Sequence, residues 1–318
     1  MITQVLTAAF LTAFLAAGIR VAVPILIAAL GEMVTQRSGI INLGIEGIFI
    51  IGSFTGFTVA YFTKSLFLGF LLGGIAGGLF GLLMGIVSVR FLANQIVTGL
   101  GFWIMCGGLA KLLVRTILGI DKYSASSDFN IPRLESLSIS YLSKIPVLGE
   151  VLFNQNIVVY LTLLSIPLFV YFFKYTRMGL NIDATGENPR AADAAGINVG
   201  QVRMLSVTFG GILAGLAGAY LPLALYGVYT DDMAVGLGWM AIVVVPFGKW
   251  RPWGILAGSM IFGAANALQF RLQNMNFPLP YQFLLMFPYF VTLIMVILFS
   301  RGRSSPSALT KPYFRSEH

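Results

Sequence analysis

Long apolar runs separated by short polar breaks occupy almost the whole of this chain, and their lengths set the kind of element each forms. An apolar stretch of about 20 residues crosses the hydrocarbon core of a bilayer as a helix, because each helical residue rises about 1.5 Å. About nine such runs are expected. They are Val5 to Leu30, Ile41 to Tyr61, Leu66 to Val89, Gln95 to Ile117, Ile157 to Phe173, Leu205 to Tyr226, Val235 to Phe247, Trp253 to Phe270 and Phe283 to Phe299. The run from Val235 to Phe247 is short for a full crossing and reads as a broken or re-entrant helix.

The longest polar break on the far side of the fifth run is KYTRMGLNIDATGENPRAADAAGINVGQVR, from Lys174 to Arg203. Asn188 can cap a helix there, Pro189 suits its first position, and Gly196 can end it in a left-handed conformation. The predicted helix has roughly two turns and is marginal alone in water, so it is expected to lie against something else. A soluble partner docking from the cytoplasm fits that requirement.

Composition strengthens the membrane reading. The chain is 57% hydrophobic and 10% charged, with a mean hydropathy of +0.86, whereas about a quarter of the residues of soluble domains are charged. The 36 glycines favour close helix packing within the bilayer. Gly69, Gly73, Gly77, Gly81 and Gly85 recur every fourth residue and present a slowly winding ridge of small residues. Packing is the expected use of that ridge.

The net charge of +8 is read through its distribution, since basic residues mark the cytoplasmic side of short loops. Arg301, Arg303, Lys311 and Arg315 place the tail inside, with Lys249, Arg251, Lys174, Arg177, Arg190 and Arg203 on the same side. The loop 118–155 then falls outside. Nine full crossings leave Met1 outside, and an extra re-entrant segment reverses it. No charged n-region marks the start as a cleavable signal peptide. The resulting organisation is a transmembrane domain over residues 1–300 and a short basic cytoplasmic tail over 301–318, which reads as polar and loosely held.

Cys106 is the single cysteine and His318 the single histidine, which argues against an intramolecular disulfide, a metal cluster or a histidine-based triad. Ionisable residues in or beside apolar runs are expensive and deserve a functional reading. Arg20, Glu32, Arg37, Glu46 and Lys111 are of this kind. In SGIINLGIEGIFIIGSF, the small and polar residues Asn42, Gly44, Glu46 and Gly47 can let a helix open and line a cavity for a polar solute. Alternatively, Glu46 pairs with Arg37 or Arg20 and locks helices together. Gln95 and Thr98 share a helix face, with Phe102 one turn on, and suit either a planar hydrogen-bonding ligand or an interhelical contact. Trp239, Asn266 and Gln269 are weaker candidates. Without a G-x-x-x-x-G-K-[ST] loop, any nucleotide energy is expected from a partner.

The segment GLNIDATGENPRAADAAGI resembles the cytoplasmic coupling segment of bacterial ABC importer permeases for branched-chain amino acids, ribose and nucleosides. QRSGIINLGIEG, from Gln36 to Gly47, and ANQIVTGLG, from Ala93 to Gly101, narrow the resemblance to nucleoside-type permeases. It spans about Gly18 to Phe299. The resemblance implies an all-α polytopic permease of the bacterial plasma membrane with about 8–10 transmembrane helices and an internal pseudo-repeat. It implies a second permease subunit, by family habit a related chain, two cytoplasmic ATP-binding subunits that hold the ATP and Mg, and an external substrate-binding lipoprotein. No cofactor, metal or nucleic acid is expected on this chain, only membrane lipid and these partners. Glu187, Asn188, Pro189, Arg190, Asp193 and Gly196 are implied at the ATPase groove, and Asn42, Glu46, Gln95, Thr98, Phe102 and Trp239 are candidates for the solute pathway. Many members have a basic residue where this chain has Asp183. Importers of ribose-like sugars or branched-chain amino acids share the pattern, and a stand-alone ion-coupled transporter is the rival from another class. A membrane enzyme is disfavoured, because no nucleophile and base stand out.

Overall fold

The computed structural model describes residues 8–119, 131–138, 148–230, 233–234, 236–274, 280–299 and 305–314. Its helices in chain order begin with α1 (Ala8–Arg37), α2 (Ile45–Thr63), α3 (Leu66–Gly85) and α4 (Gln95–Leu113). A strand β1 (Ser136–Ser138), a short helix α5 (Leu148–Phe153) and a strand β2 (Asn154–Asn156) precede α6 (Ile157–Tyr175). Two short helices follow, α7 (Arg177–Glu187) and α8 (Pro189–Ala194). The chain then forms α9 (Val199–Tyr220), α10 (Leu237–Phe247), α11 (Pro252–Asn274) and α12 (Tyr281–Phe299). Helices α3, α4 and α9 each finish in a single wider π turn.

Where described, all nine predicted runs are helical, and among the described residues 7 helical stretches are long and apolar enough to cross a membrane. Leu237–Phe247 is a shorter apolar helix. The chain is thus a multi-pass, mostly helical membrane protein.

Helix α1 is central. Ala22, Ile25, Leu26, Ala28 and Ala29 along it are fully buried, and it packs most extensively on α11 and α9. The glycine ridge of α3 lies against α2 and α9, as the spacing predicts. A methyl group placed on Gly77 comes within 2.6 Å of the Gly215 Cα, and one on Gly81 within 2.9 Å of the Gly211 Cα. The backbones of α3 and α9 therefore touch, which brings many weak dispersion contacts into range where no hydrophobic effect drives helices together.

One end of the bundle gathers Arg37, the π turn ending at Arg90, Lys174, Arg177, Arg203 and the Lys249–Arg251 turn, together with α7, α8 and residues 305–314. This basic end is tied by the bonds Trp250 Nε1 to Gln36 Oε1 at 2.9 Å and Arg203 Nε to Ser38 O at 3.1 Å. At the opposite end, β1 and β2 pair antiparallel in the register Ser136↔Asn156. That ribbon is anchored by Arg20 Nε donating to Gln155 Oε1 at 2.9 Å and Asn156 Nδ2 donating to Tyr220 OH at 3.2 Å. Residues 120–130 and 139–147 of the loop expected outside lie beyond the described residues.

Candidate functional site

Two helices begin inside the bundle rather than at its surface. After Arg37 the chain turns at Gly39 (φ 96°) and residues 40–44 run back along α1. The Asn42 N–H reaches Glu32 Oε1 at 3.1 Å, and the Asn42 side chain accepts from the Gly44 N–H at 3.0 Å. Helix α2 then starts. Its second residue, Glu46, meets the start of α10, which carries no side-chain cap of its own. Glu46 Oε1 accepts from the Gly236 N–H at 2.8 Å. Glu46 Oε2 accepts from the Gly238 N–H at 2.7 Å and the Trp239 N–H at 3.2 Å.

This contact is local electrostatics. The first N–H groups of a helix have no intrahelical acceptor and form its positive dipole end, so a carboxylate there satisfies donors that are otherwise costly at membrane depth. Both Glu46 oxygens are consumed in this way. The alternative pairings are not made: Arg37 binds Asp183, and Arg20 binds Gln155.

The remaining pathway candidates surround the same junction. Gln95 Oε1 accepts from the Ile41 N–H at 2.9 Å, and a methyl on Gly44 comes within 3.1 Å of the Phe102 Cβ. Trp239 stacks edge-on against Trp103, with centroids 5.6 Å apart. Thr98, on the α4 face with Gln95, is half-buried. Asn42, Glu46, Gln95, Phe102 and Trp239 thus brace the starts of α2 and α10. Sequence reasoning missed Trp103, whose aromatic character within an apolar run carries no signal of its own. It also missed the chain of bonds from Trp250 through Gln36 to Glu32. In that chain Glu32 Oε2 is buried with no hydrogen-bond partner among the described residues.

Between this junction and the opposite end lies a cavity of about 360 Å³, lined by Tyr226, Thr230, Met233, Leu237, Asn266 and Phe270 among others. Asn266, a weaker candidate from the sequence, lines it and donates to Phe262 O at 3.0 Å. Aromatic rings, a hydroxyl and an amide face one small volume here.

At the basic end the predicted short helix is α8. Asn188 caps it by accepting from the Ala191 N–H at 3.1 Å, Pro189 takes the first helical position, and Gly196 has φ 85°. Glu187, Asn188, Arg190 and Gly196 are exposed, while Pro189 and Asp193 are half-buried. The loop before it holds a second helix the sequence did not announce, α7, started by Thr176 accepting from the Gly179 N–H at 3.1 Å. Helix α7 turns Ile182, Thr185 and Gly186 inward. A side chain at Gly186 collides with the Arg37 carbonyl.

Asp183 anchors the same helix. Its carboxylate takes Arg37 in a two-pronged bond, Nε to Oδ1 at 2.6 Å and Nη2 to Oδ2 at 2.5 Å. Burial pushes the Asp183 carboxyl above its ordinary range, outweighing the pull of Arg37, with nearby Glu187 adding to the rise. The pair fixes where α7 sits more than it stabilises the fold.

The expectation of a loose tail is overturned for residues 305–314. The Ala308 N–H donates to Gly186 O at 2.8 Å and the Thr310 N–H to Gly39 O at 3.0 Å. Arg203 Nη1 donates to Lys311 O at 3.0 Å. Ser307 Oγ donates to Glu187 Oε2 at 2.9 Å, and Tyr313 OH to Asp193 Oδ2 at 2.9 Å. Polarity misled the expectation, because this segment is held by hydrogen bonds to distant backbone and side-chain groups together with the burial of Pro306 and Ala308.

The chain matches the family model described as branched-chain amino acid transport system / permease component over residues 14–299. It is 34% identical to a putative glucose ABC transporter permease of Haloferax volcanii over 85% of this chain and 80% of that protein. It is 32% identical to a guanosine ABC transporter permease of Bacillus subtilis over 93% of this chain and 94% of that protein. Identity to a nucleoside ABC transporter permease of Lactococcus lactis is 30%, over 92% and 94% of the two chains. No solved structure matches.

Proposed function

The chain belongs to the branched-chain amino acid transport system / permease component family and is the membrane-spanning permease of an ABC importer, and on that premise we propose that its solute is a nucleoside. The observation that carries this reading is the alignment with guanosine and nucleoside permeases across 94% of their lengths. The cavity lined by Tyr226, Thr230, Asn266 and Phe270 supports it, since aromatic faces and a few hydrogen-bonding groups suit a planar base joined to a sugar. A hexose is the second reading, favoured by the 34% identity to the putative glucose permease.

In this reading the basic end faces the cytoplasm, as the positive-inside tendency requires. Two ATP-binding subunits, which carry the ATP and Mg, engage α8 through Glu187, Asn188, Pro189, Arg190, Asp193 and Gly196. ATP-driven closure of those subunits pushes α8. Because α7 is latched to Arg37 at the end of α1, the push passes to the central helix and rocks the bundle between inward- and outward-open states. A second permease, by family habit a related chain, completes the pathway, and an external binding lipoprotein delivers the solute. Asn42, Glu46, Gln95, Thr98, Phe102 and Trp239 act around the junction of α2 and α10, where irregular backbone at membrane depth is the usual setting of a transport site.

Uptake of labelled guanosine by cells carrying the whole transporter tests the solute. Unlabelled nucleosides compete and glucose does not, if the proposal holds. Competition by glucose alone, or by branched-chain amino acids alone, overturns it.

A further inference from the structure

We propose that the docking surface for the ATP-hydrolysing subunit is composite, with the C-terminal segment Ser305–Phe314 forming its second wall beside α8. The inference rests on the reading of α8 as the coupling helix, and it adds a part of the chain that reading leaves out.

Size is the first argument. Six residues of helix reach only about 9 Å, and a stable protein interface buries on the order of 800 Å² on each partner. Helix α8 cannot supply that area alone, so neighbouring surface has to be recruited. The segment 305–314 is fastened at both ends of α8, to Glu187 just before it through Ser307 and to Asp193 within it through Tyr313. A partner that grips α8 therefore meets the segment as well.

The way the segment is anchored is the second argument. It joins four separate stretches of chain: the turn after α1 at Gly39, the end of α7 at Gly186, α8 itself, and the start of α9 through Arg203. Gly39 is fitted to it, for a methyl there comes within 3.2 Å of the Ala308 carbonyl and 2.7 Å of the Arg203 guanidinium. Arg203 is almost wholly buried. Burying a guanidinium to hold the carbonyl of a tail residue is costly. It gives the segment one fixed position, which a binding surface needs.

The exposed groups are the third argument. An open polar cleft of about 640 Å³ lies between the segment and α7, with Glu187, Ser307, Thr310 and Lys311 on its walls. Phe314 is 68% exposed next to Tyr313, at the end of the bundle that carries the charged residues. A cleft with charges of both signs on its walls, and an exposed aromatic ring on the same segment, are features of a protein interface, where aromatic anchors carry much of the binding energy. The ATP-hydrolysing subunit is the partner that the proposed function assigns to this end.

The test uses the complete transporter with its own ATP-hydrolysing subunit. A photo-reactive phenylalanine analogue replaces Arg190 in one sample and Phe314 in another, and cross-linking to that subunit is read after illumination. Both positions cross-link if the surface is composite. Cross-linking from position 190 without any from position 314 overturns the composite surface and leaves the coupling reading standing. No cross-linking from either position overturns both.

A functional arm uses Ser307→Ala combined with Tyr313→Phe, which keeps the backbone anchors, alongside a chain ending at Arg303. Retention of the ATP-hydrolysing subunit on purification falls by roughly tenfold in the double variant, the loss of hydrogen bonds to two carboxylates. The shortened chain loses at least as much. Unchanged retention in both variants overturns the proposal.

Discussion

Glu46 shows what one residue can do at membrane depth. A carboxylate in an apolar run is visible in the sequence as an anomaly, but its partners lie 190 and more positions away and cannot be read from spacing. The structure makes it the missing cap of α10. Glu46→Ala leaves one buried and two part-buried N–H groups without acceptors and is expected to cost about 3 kcal/mol. Glu46→Gln keeps one acceptor and costs less. Thermal unfolding of the purified protein, followed by tryptophan fluorescence, should rank the melting temperatures wild type, then Gln, then Ala; equal values for all three remove the cap from the account. Gly39 was likewise visible only as one glycine among many. Its positive φ and its fit against Ala308 and Arg203 predict that Gly39→Ala strains the turn by about 1–2 kcal/mol. The same change loosens residues 305–314, and faster proteolysis there is the readout.

At the level of elements, what the sequence reveals is periodicity. The four-residue glycine repeat of α3 announces close packing, and α9 and α2 supply the partners. Gly77→Val should therefore destabilise by about 1–3 kcal/mol through overpacking. Gly101→Ala in α4, where nothing lies within 4 Å of the added methyl, should not lower the melting temperature, since alanine favours the helix over glycine. Equal losses at both sites contradict the packing described for α3 and α9. Helix α8 was legible because capping chemistry is local: Asn188, Pro189 and Gly196 each carry their own signal. Helix α7 was not, since its inward face, Ile182, Thr185 and Gly186, is small and partly polar, and its main anchor is an ion pair to Arg37. Asp183→Asn gives up that charge pairing for about 1 kcal/mol. It should lower transport more than stability, because the latch positions α7; a melting shift with unaltered transport speaks against that role.

For the molecule as a whole, the nine apolar runs were legible as helices, and the run from Val235 to Phe247 was legible as too short for a full crossing; run length does not show that α10 begins inside the bundle against Glu46. The junction of α2 and α10 depends on Glu46 and Gln95 bonding to backbone groups brought near by folding, which a single sequence does not display. The basic end was half legible, α8 from its caps and the anchoring of residues 305–314 not at all. The central claim is that an ATP-hydrolysing subunit drives solute movement through this docking end. Its most direct test is ATP-dependent uptake of labelled guanosine into vesicles holding the complete transporter, comparing wild type with Arg190→Glu. The account predicts that the variant inserts normally in the membrane and loses nearly all ATP-dependent uptake. Uptake equal to wild type contradicts it.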